Sequence, residues 1–342
     1  AQGSASVLIE VGNKERDFFF FDLGSGALAN FNGLHLPVTA TTKVFLSHLH
    51  ADHVGDMPTL VWRLAKAGRR DPVEVWGPGG ERPELGTRSY ARHLEAAHAW
   101  DMESLNGHPG QSGAHTEVTE VPFETTSAVY DRSGVQISSF PVIHILNGAV
   151  GYRLDYNGLS VVFSGDTRPS HTLVEACDGV DLLIHETFPS ASVFAQKAGV
   201  PLAFAEQVVN GVHTSPSAVG DVFRRAGARM SVMWHLAVDH APVGRVGEVV
   251  AEDRVACGDE RDAPGAAVAD QQDERVRRRT RGHDLLVRLA AVPRERGAAH
   301  ARRCVRRLDQ VAVAVLQVGH RRRQAGLRRQ RLRFLSLTSR PY

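Results

Sequence analysis

Four good metal ligands, His48, His50, Asp52 and His53, fall within six residues, directly after an apolar β-type run, Lys43-Val44-Phe45-Leu46. On a strand end, residues two apart point the same way. His48 and His50 can therefore grip one ion while the turning chain offers Asp52 and His53 to a second. Imidazole and carboxylate together suit zinc, with manganese or iron as alternatives. The competing reading is a polar loop that happens to be rich in histidine, and the tight spacing favours a binuclear metal site over it.

Three later positions have the same character. Phe140-Pro141-Val142-Ile143-His144 ends a strand-like run, Phe163-Ser164-Gly165-Asp166-Thr167 places a carboxylate after another, and Val232-Met233-Trp234-His235 places a histidine after a third. Taken singly, each could be an ordinary core residue, because apolar flanks hold those too. Together with H-x-H-x-D-H, and in this order, they resemble the signature of the metallo-β-lactamase fold superfamily. The resemblance implies His48, His50 and His144 on one ion, Asp52, His53 and His235 on the other, and Asp166 between them. It also implies hydrolysis by a metal-bridging hydroxide without a covalent intermediate, since two cations make hydroxide available near neutral pH and offset charge on the attacked group. No G-x-S-x-G nucleophile elbow is present, and Cys177, Cys257 and Cys304 lie outside the metal motifs.

Within that superfamily, His185-Glu186-Thr187-Phe188 and Val212-His213-Thr214-Ser215-Pro216 make the chain most similar to the branch containing ribonuclease Z and certain arylsulfatases. The resemblance implies a catalytic set of Asp52, His213 and Glu186, in which His213 donates a proton to the leaving group and Glu186 orients a histidine. A capping role at the next helix is the alternative for His213. One departure concerns substrate. Ribonuclease Z inserts a long arm, used to hold transfer RNA, between the third histidine and the bridging aspartate. Here the stretch from His144 to Asp166 is filled by a hairpin around Asn157-Gly158, a strong turn signal. The expectation is therefore a small-molecule ester as substrate: a phosphodiester, sulfate ester or lactone. A ribonuclease Z-like nuclease or phosphodiesterase is the alternative within enzymes, and a non-catalytic metal-binding or nucleic-acid-binding protein the alternative outside them. Nucleic acid and membrane are not expected as partners; a homodimer is compatible with the sequence.

Stepping outward from the ligands, strands are expected over 6–11 and 17–23, paired across Gly12-Asn13, and over 43–47, 135–143, 150–156, 160–163 and 181–184. Helices are expected over 58–67, ending at Gly68, and over 170–177, 203–210 and 216–226. This pattern predicts an α+β fold, a four-layer αββα sandwich with the metals at one edge. Residues 77–124, with Gly77-Pro78-Gly79-Gly80 and a helical stretch over 87–103, are expected to form a lid. Its His93, His98, His108 and His115 are read as surface rather than ligands, and Gly77 to Gly80 as a turn rather than an anion cradle.

Composition divides the chain at about residue 240. Residues 1–240 carry a net charge of −9, whereas residues 241–342 hold 23 arginines, no lysine and a net charge of +11, hidden in the overall +2. The segment has no aromatic residue between Ala241 and Arg333 and no sustained apolar period, so it is poorly suited to build a core. It is expected to be disordered or frameshifted text, with an arginine-rich nucleic-acid arm as the alternative. The Ala1-Gln2 start leaves localisation open: cytoplasmic, or periplasmic or secreted if a signal peptide has been removed. No apolar run reaches transmembrane length.

Overall fold

Phenylalanine occupies positions 18 to 21, and the two-residue period of a strand splits the four rings between two faces, both of them buried. A strand apolar on both faces must lie between two packed layers. It does so in the computed structural model, which describes residues 5–13, 16–34, 36, 39, 41–235 and the backbone of 285–289.

Two six-stranded sheets stack face to face. The first holds β1 (Val7–Val11), β2 (Asp17–Phe21), β3 (Lys43–Phe45), β4 (Val73–Pro78) and β5 (Thr116–Val121) in that spatial order. The second holds β6 (Ser127–Arg132), β7 (Val135–Pro141), β8 (Val150–Tyr156), β9 (Leu159–Phe163), β10 (Leu182–Glu186) and β11 (Met230–Trp234), again in order. β12 (Leu285–Leu289) pairs antiparallel with β1 on the outer side of the first sheet. The β1–β2 and β6–β9 pairings are antiparallel, while β2–β5 and β9–β11 run parallel. The β8–β9 hairpin turns through Asn157 (φ 51°) and Gly158 (φ 75°), the positive-φ pair of the tightest hairpin turn.

α1 (Ala27–Gly33), α2 (Ala51–Val54), a π-helical turn (Thr59–Arg63) and α3 (Leu64–Lys66) cover the first sheet, joined by α4 (Thr87–Ala97) and α5 (Ala99–Ser104). α6 (His171–Ala176) covers the second, α7 (Ala191–Ala198) and α8 (Leu202–Val212) form a helical hairpin, and α9 (Pro216–Ala226) packs beside α6. Among the described residues, no helix is long and apolar enough to cross a membrane.

Between the sheets lies an aromatic core. Phe45 stacks on Trp76 with centroids 4.6 Å apart and planes within 5°, and meets Phe21, Tyr130 and Tyr152 at 5.4 to 6.0 Å. Burying rings of this size, with offset and edge contacts, makes a large apolar contribution around the strand that leads into His48.

The α+β sandwich is as expected, with three local differences. The expected helix over 58–67 begins as a π-helical turn, whose displaced carbonyls are met by the fully buried Arg69: its guanidinium donates to Leu60 O at 2.8 Å, Val61 O at 3.0 Å and Gly113 O at 2.7 Å. The stretch 77–124 is not a free lid. Gly77 and Pro78 close β4, residues 116–121 are β5, and Tyr90, Leu94 and Met102 of the intervening helices pack onto the outer apolar layer. Gly77 lies in a strand, packed against Thr87 and Leu46, so it forms neither a free turn nor a cradle. His98 is no solvated surface group but stacks on Trp62 at 4.2 Å. The readings of residues 241–342 as disordered or frameshifted, and Cys257 and Cys304 within them, fall outside the described residues apart from the backbone of β12. Cys177 is free and buried.

Candidate metal centre

Five of the seven sequence-predicted ligands sit just beyond the carboxyl end of a strand: His48 and His50 after β3, His144 after β7, Asp166 after β9 and His235 after β11. His50 takes extended backbone angles as the residue before α2, which turns the chain and lifts Asp52 and His53 onto one short helix. The loops hold each other by backbone contacts. Val150 N–H donates to Ser47 O at 2.9 Å, and Ile143 N–H to Thr167 Oγ1 at 3.1 Å. Gly165, at φ 60°, passes so close to Ser47 that a Cβ there would lie 2.6 Å from the serine Cβ. Glycine is what lets the Asp166 loop meet the His48 loop.

The side chains converge into two groups of donor atoms. His48, His50, His144 and Asp166 form one, and Asp52, His53 and His235 the other, with the ligand atoms of each group within 4.8 Å of one another. Asp166 reaches across both: its Oδ2 is 3.3 Å from His53 Nε2 and 3.9 Å from His48 Nε2 and His144 Nε2, and its Oδ1 is 3.7 Å from His235 Nε2. His53 Nε2 and His235 Nε2 are 3.2 Å apart, and His235 Nε2 is 3.2 Å from Asp52 Oδ2.

Electrostatics favour cations at this point. Burial, with His53 beside it, lowers the pKa of His48 well below the ordinary imidazole value, and burial brings His144 to about 4, so both rings offer lone pairs at neutral pH. Burial works to raise Asp166, but His235 and His53 outweigh it and hold the carboxyl well below the usual range. Burial likewise opposes ionisation of Asp52, and its hydrogen bond to His235 and the charge of His53 bring it to about 2. Asp166 Oδ1 is buried without a hydrogen-bond partner among the described residues. A buried carboxylate oxygen with no donor, amid imidazole nitrogens facing one another at 3 to 4 Å, fits divalent cations.

The other two expected catalytic residues, His213 and Glu186, adjoin this cluster. His213, the residue after α8, places Nδ1 2.9 Å from Glu186 Oε1 and 4.0 Å from Asp166 Oδ2, with the Phe188 ring stacked on it at 4.4 Å. Glu186 Oε1 also accepts from Thr167 N–H at 3.0 Å, and burial pushes the Glu186 carboxyl upward. His213 therefore does not cap the next helix: Ser215 takes that role at the start of α9, accepting from Ala218 N–H. His93, His108 and His115 belong to neither donor group.

Sequence reasoning missed Asp22 and Ser47. Asp22 is fully buried, holds a left-handed backbone (φ 57°) and accepts from Ser47 N–H, Ser47 Oγ–H and His53 Nδ1–H, all at 2.7 Å. The only signal was an acid directly after four phenylalanines, Phe21-Asp22-Leu23-Gly24, at the end of an otherwise apolar strand.

Comparison with known proteins agrees with this geometry. The family model for the Beta-lactamase superfamily domain matches residues 21–236. Ribonuclease Z of Mycobacterium avium is 30% identical over 235 residues, covering 67% of this chain and 78% of that protein. Ribonuclease Z of Methanosarcina acetivorans is 24% identical over 259 residues, covering 66% and 79%. The crystal structure of the human tRNase Z short form superposes with a TM-score of 0.51 at 19% identity, covering 68% of this chain and 86% of that one. These relatives overturn the expectation that nucleic acid is not a partner. That expectation rested on a missing arm, and the similarity to enzymes named for RNA cleavage extends over most of the hydrolase domain without it.

Proposed function

The chain belongs to the metallo-β-lactamase superfamily, within its ribonuclease Z branch, and is a metallo-hydrolase; on that premise we propose that it cleaves a phosphodiester bond of RNA, with two divalent ions, zinc first among them, held by the residues described above. The observation that carries the reading is the pair of donor groups joined by Asp166, with the Glu186–His213 pair at their margin. The names of the relatives point the substrate toward RNA, and the transfer RNA of the tRNase Z neighbour supplies the first transcript to try.

His48, His50 and His144 would hold one ion and Asp52, His53 and His235 the other, with Asp166 shared. Divalent ions in such a setting lower the pKa of water toward neutrality and offset charge on a phosphoryl group. The remaining work falls to the chain. Glu186 fixes the ring of His213 through Nδ1, and Phe188 holds its plane. That leaves Nε2, which makes no hydrogen bond among the described residues, to hand a proton to the departing ribose oxygen. Asp52 lies at the mouth, half-exposed, where its carboxylate both completes a donor group and can accept a proton from an entering water.

Purified protein loaded with zinc or manganese should cut a transfer RNA transcript carrying extra nucleotides at both ends, at a discrete position. Turnover of aryl sulfates, lactones or small phosphodiesters with the RNA left intact would refute the RNA assignment while preserving the hydrolase.

A further inference from the structure

Asp22 touches no ion position, yet it reaches one ligand of each donor group. Oδ2 accepts from His53 Nδ1–H at 2.7 Å and from Ser47 Oγ at 2.7 Å; Oδ1 accepts from Ser47 N–H at 2.7 Å. Ser47 Oγ is in turn 3.0 Å from His48 Nδ1. The serine hydroxyl has one proton, and a carboxylate can only accept, so that proton goes to Asp22. Ser47 Oγ must then accept from His48 Nδ1–H. Both imidazoles thus carry a proton on Nδ1, which leaves Nε2 as the atom that would meet an ion, and one oxygen atom sets both. His48 and His53 belong to different donor groups.

We propose that Asp22 is a positioning residue that couples the two ion positions, fixing the tautomer of His53 directly and that of His48 through Ser47. This rests on the reading that both donor groups take ions. The fully buried setting makes the arrangement rigid, since Asp22, Ser47 and His53 are each 0% exposed. An amide at position 22 would reverse the polarity of the whole relay. Its NH₂ would donate where the carboxylate accepted, so His53 would have to accept at Nδ1 and move its proton to Nε2. Ser47 would accept from the amide and donate to His48 Nδ1, forcing the same shift there. One atom exchange would then spoil one ligand in each group, whereas loss of the serine hydroxyl would break only the branch to His48.

The test is zinc affinity, measured by competition with a chromophoric chelator, for the wild type, Asp22→Asn and Ser47→Ala, with folding checked by circular dichroism. Removing the partner that orients a ligand typically lowers affinity about 10- to 100-fold. Asp22→Asn should weaken both binding steps by that factor. Ser47→Ala should weaken one step about tenfold and leave the other within about threefold. In the zinc-loaded wild type, nitrogen-resolved NMR should show solvent-protected Nδ1–H protons on both His48 and His53; Ser47→Ala should lose only the first. A folded Asp22→Asn protein that loses one step alone, or neither, overturns the coupling. If Asp22→Asn does not fold, Ser47→Ala decides: weakening of both steps, or of neither, overturns it as well. A wild type that binds fewer than two ions would fail the metal reading instead, which separates the two claims.

Discussion

His185 offers a measurable consequence of burial behind the metal centre. It lies on β10 between Ile184 and Glu186, with its ring on the opposite face from Glu186, edge-on to Phe223 at 6.3 Å. Nδ1 bonds the carbonyl of Glu186 at 2.6 Å, while Nε2 is buried with no partner among the described residues. Burial lowers its pKa from 6.5 to about 4. The folded protein therefore disfavours the charged ring, and its share of stability is complete above pH 6.5 and lost as pH falls toward 4. With those two values, linkage puts the loss at about 2 kcal/mol by pH 5 and about 3 kcal/mol at pH 4 and below. His185→Leu removes the titration. At pH 7 it gives up one hydrogen bond but also an unsatisfied nitrogen, effects of about 1 kcal/mol each and opposite in sign. Urea unfolding of the two proteins at pH 7 and pH 5, both with zinc chelated, isolates the effect, because ligand protonation is common to both. The variant should gain about 2 kcal/mol on the wild type between the two pH values. An unchanged difference would show that His185 does not titrate as its surroundings dictate.

Three further outcomes are expected. His213→Ala should slow cleavage of RNA, whose leaving group is a poor one, by about 100- to 10,000-fold, but bis(p-nitrophenyl) phosphate far less; equal losses would remove the proton-donor role. Phe45→Ala, which empties the centre of the aromatic core, should cost about 3 to 5 kcal/mol in denaturant unfolding. Chelation of bound zinc should lower Tm, removing stability that grows with the logarithm of free zinc over Kd, about 4 kcal/mol per site at a thousand times Kd, and an unmoved Tm would argue against ions in the native protein.

The ligands were legible because coordination demands particular side chains at short spacing, and His48 to His53 meets that demand within one strand end. Strands with near-continuous apolar runs, such as β2 and β9, are equally plain, since burial on both faces leaves little room for polar residues. The end of β4 and the whole of β5 fall within the expected lid because Gly77 to Gly80 reads as a turn, although Gly77 and Pro78 close a strand whose neighbours are set by tertiary pairing. The π-helical turn was hidden because its residues keep a helical apolar pattern, and the buried Arg69 that satisfies it lies outside that pattern. Asp22 and Ser47 act through partners 25 and 31 positions away from the carboxylate, a relation no local pattern encodes. RNA is hidden from the sequence for a different reason: the absence of an arm says nothing about which substrate the residues that are present can hold.

Neither donor group belongs to one sheet. His48 and His50 come from the first and His144 and Asp166 from the second; Asp52 and His53 from the first and His235 from the second. An ion in either position is thus a crosslink between halves of the sandwich, and the His53–His235 pair closes a loop of 182 residues. Unlike a disulfide, which persists in the unfolded chain and restricts it, such a link exists only in the folded protein and stabilises that state by mass action. It can form only after the two sheets have docked, so ion capture should mark the last stage of folding, and ion release should come before the sheets part.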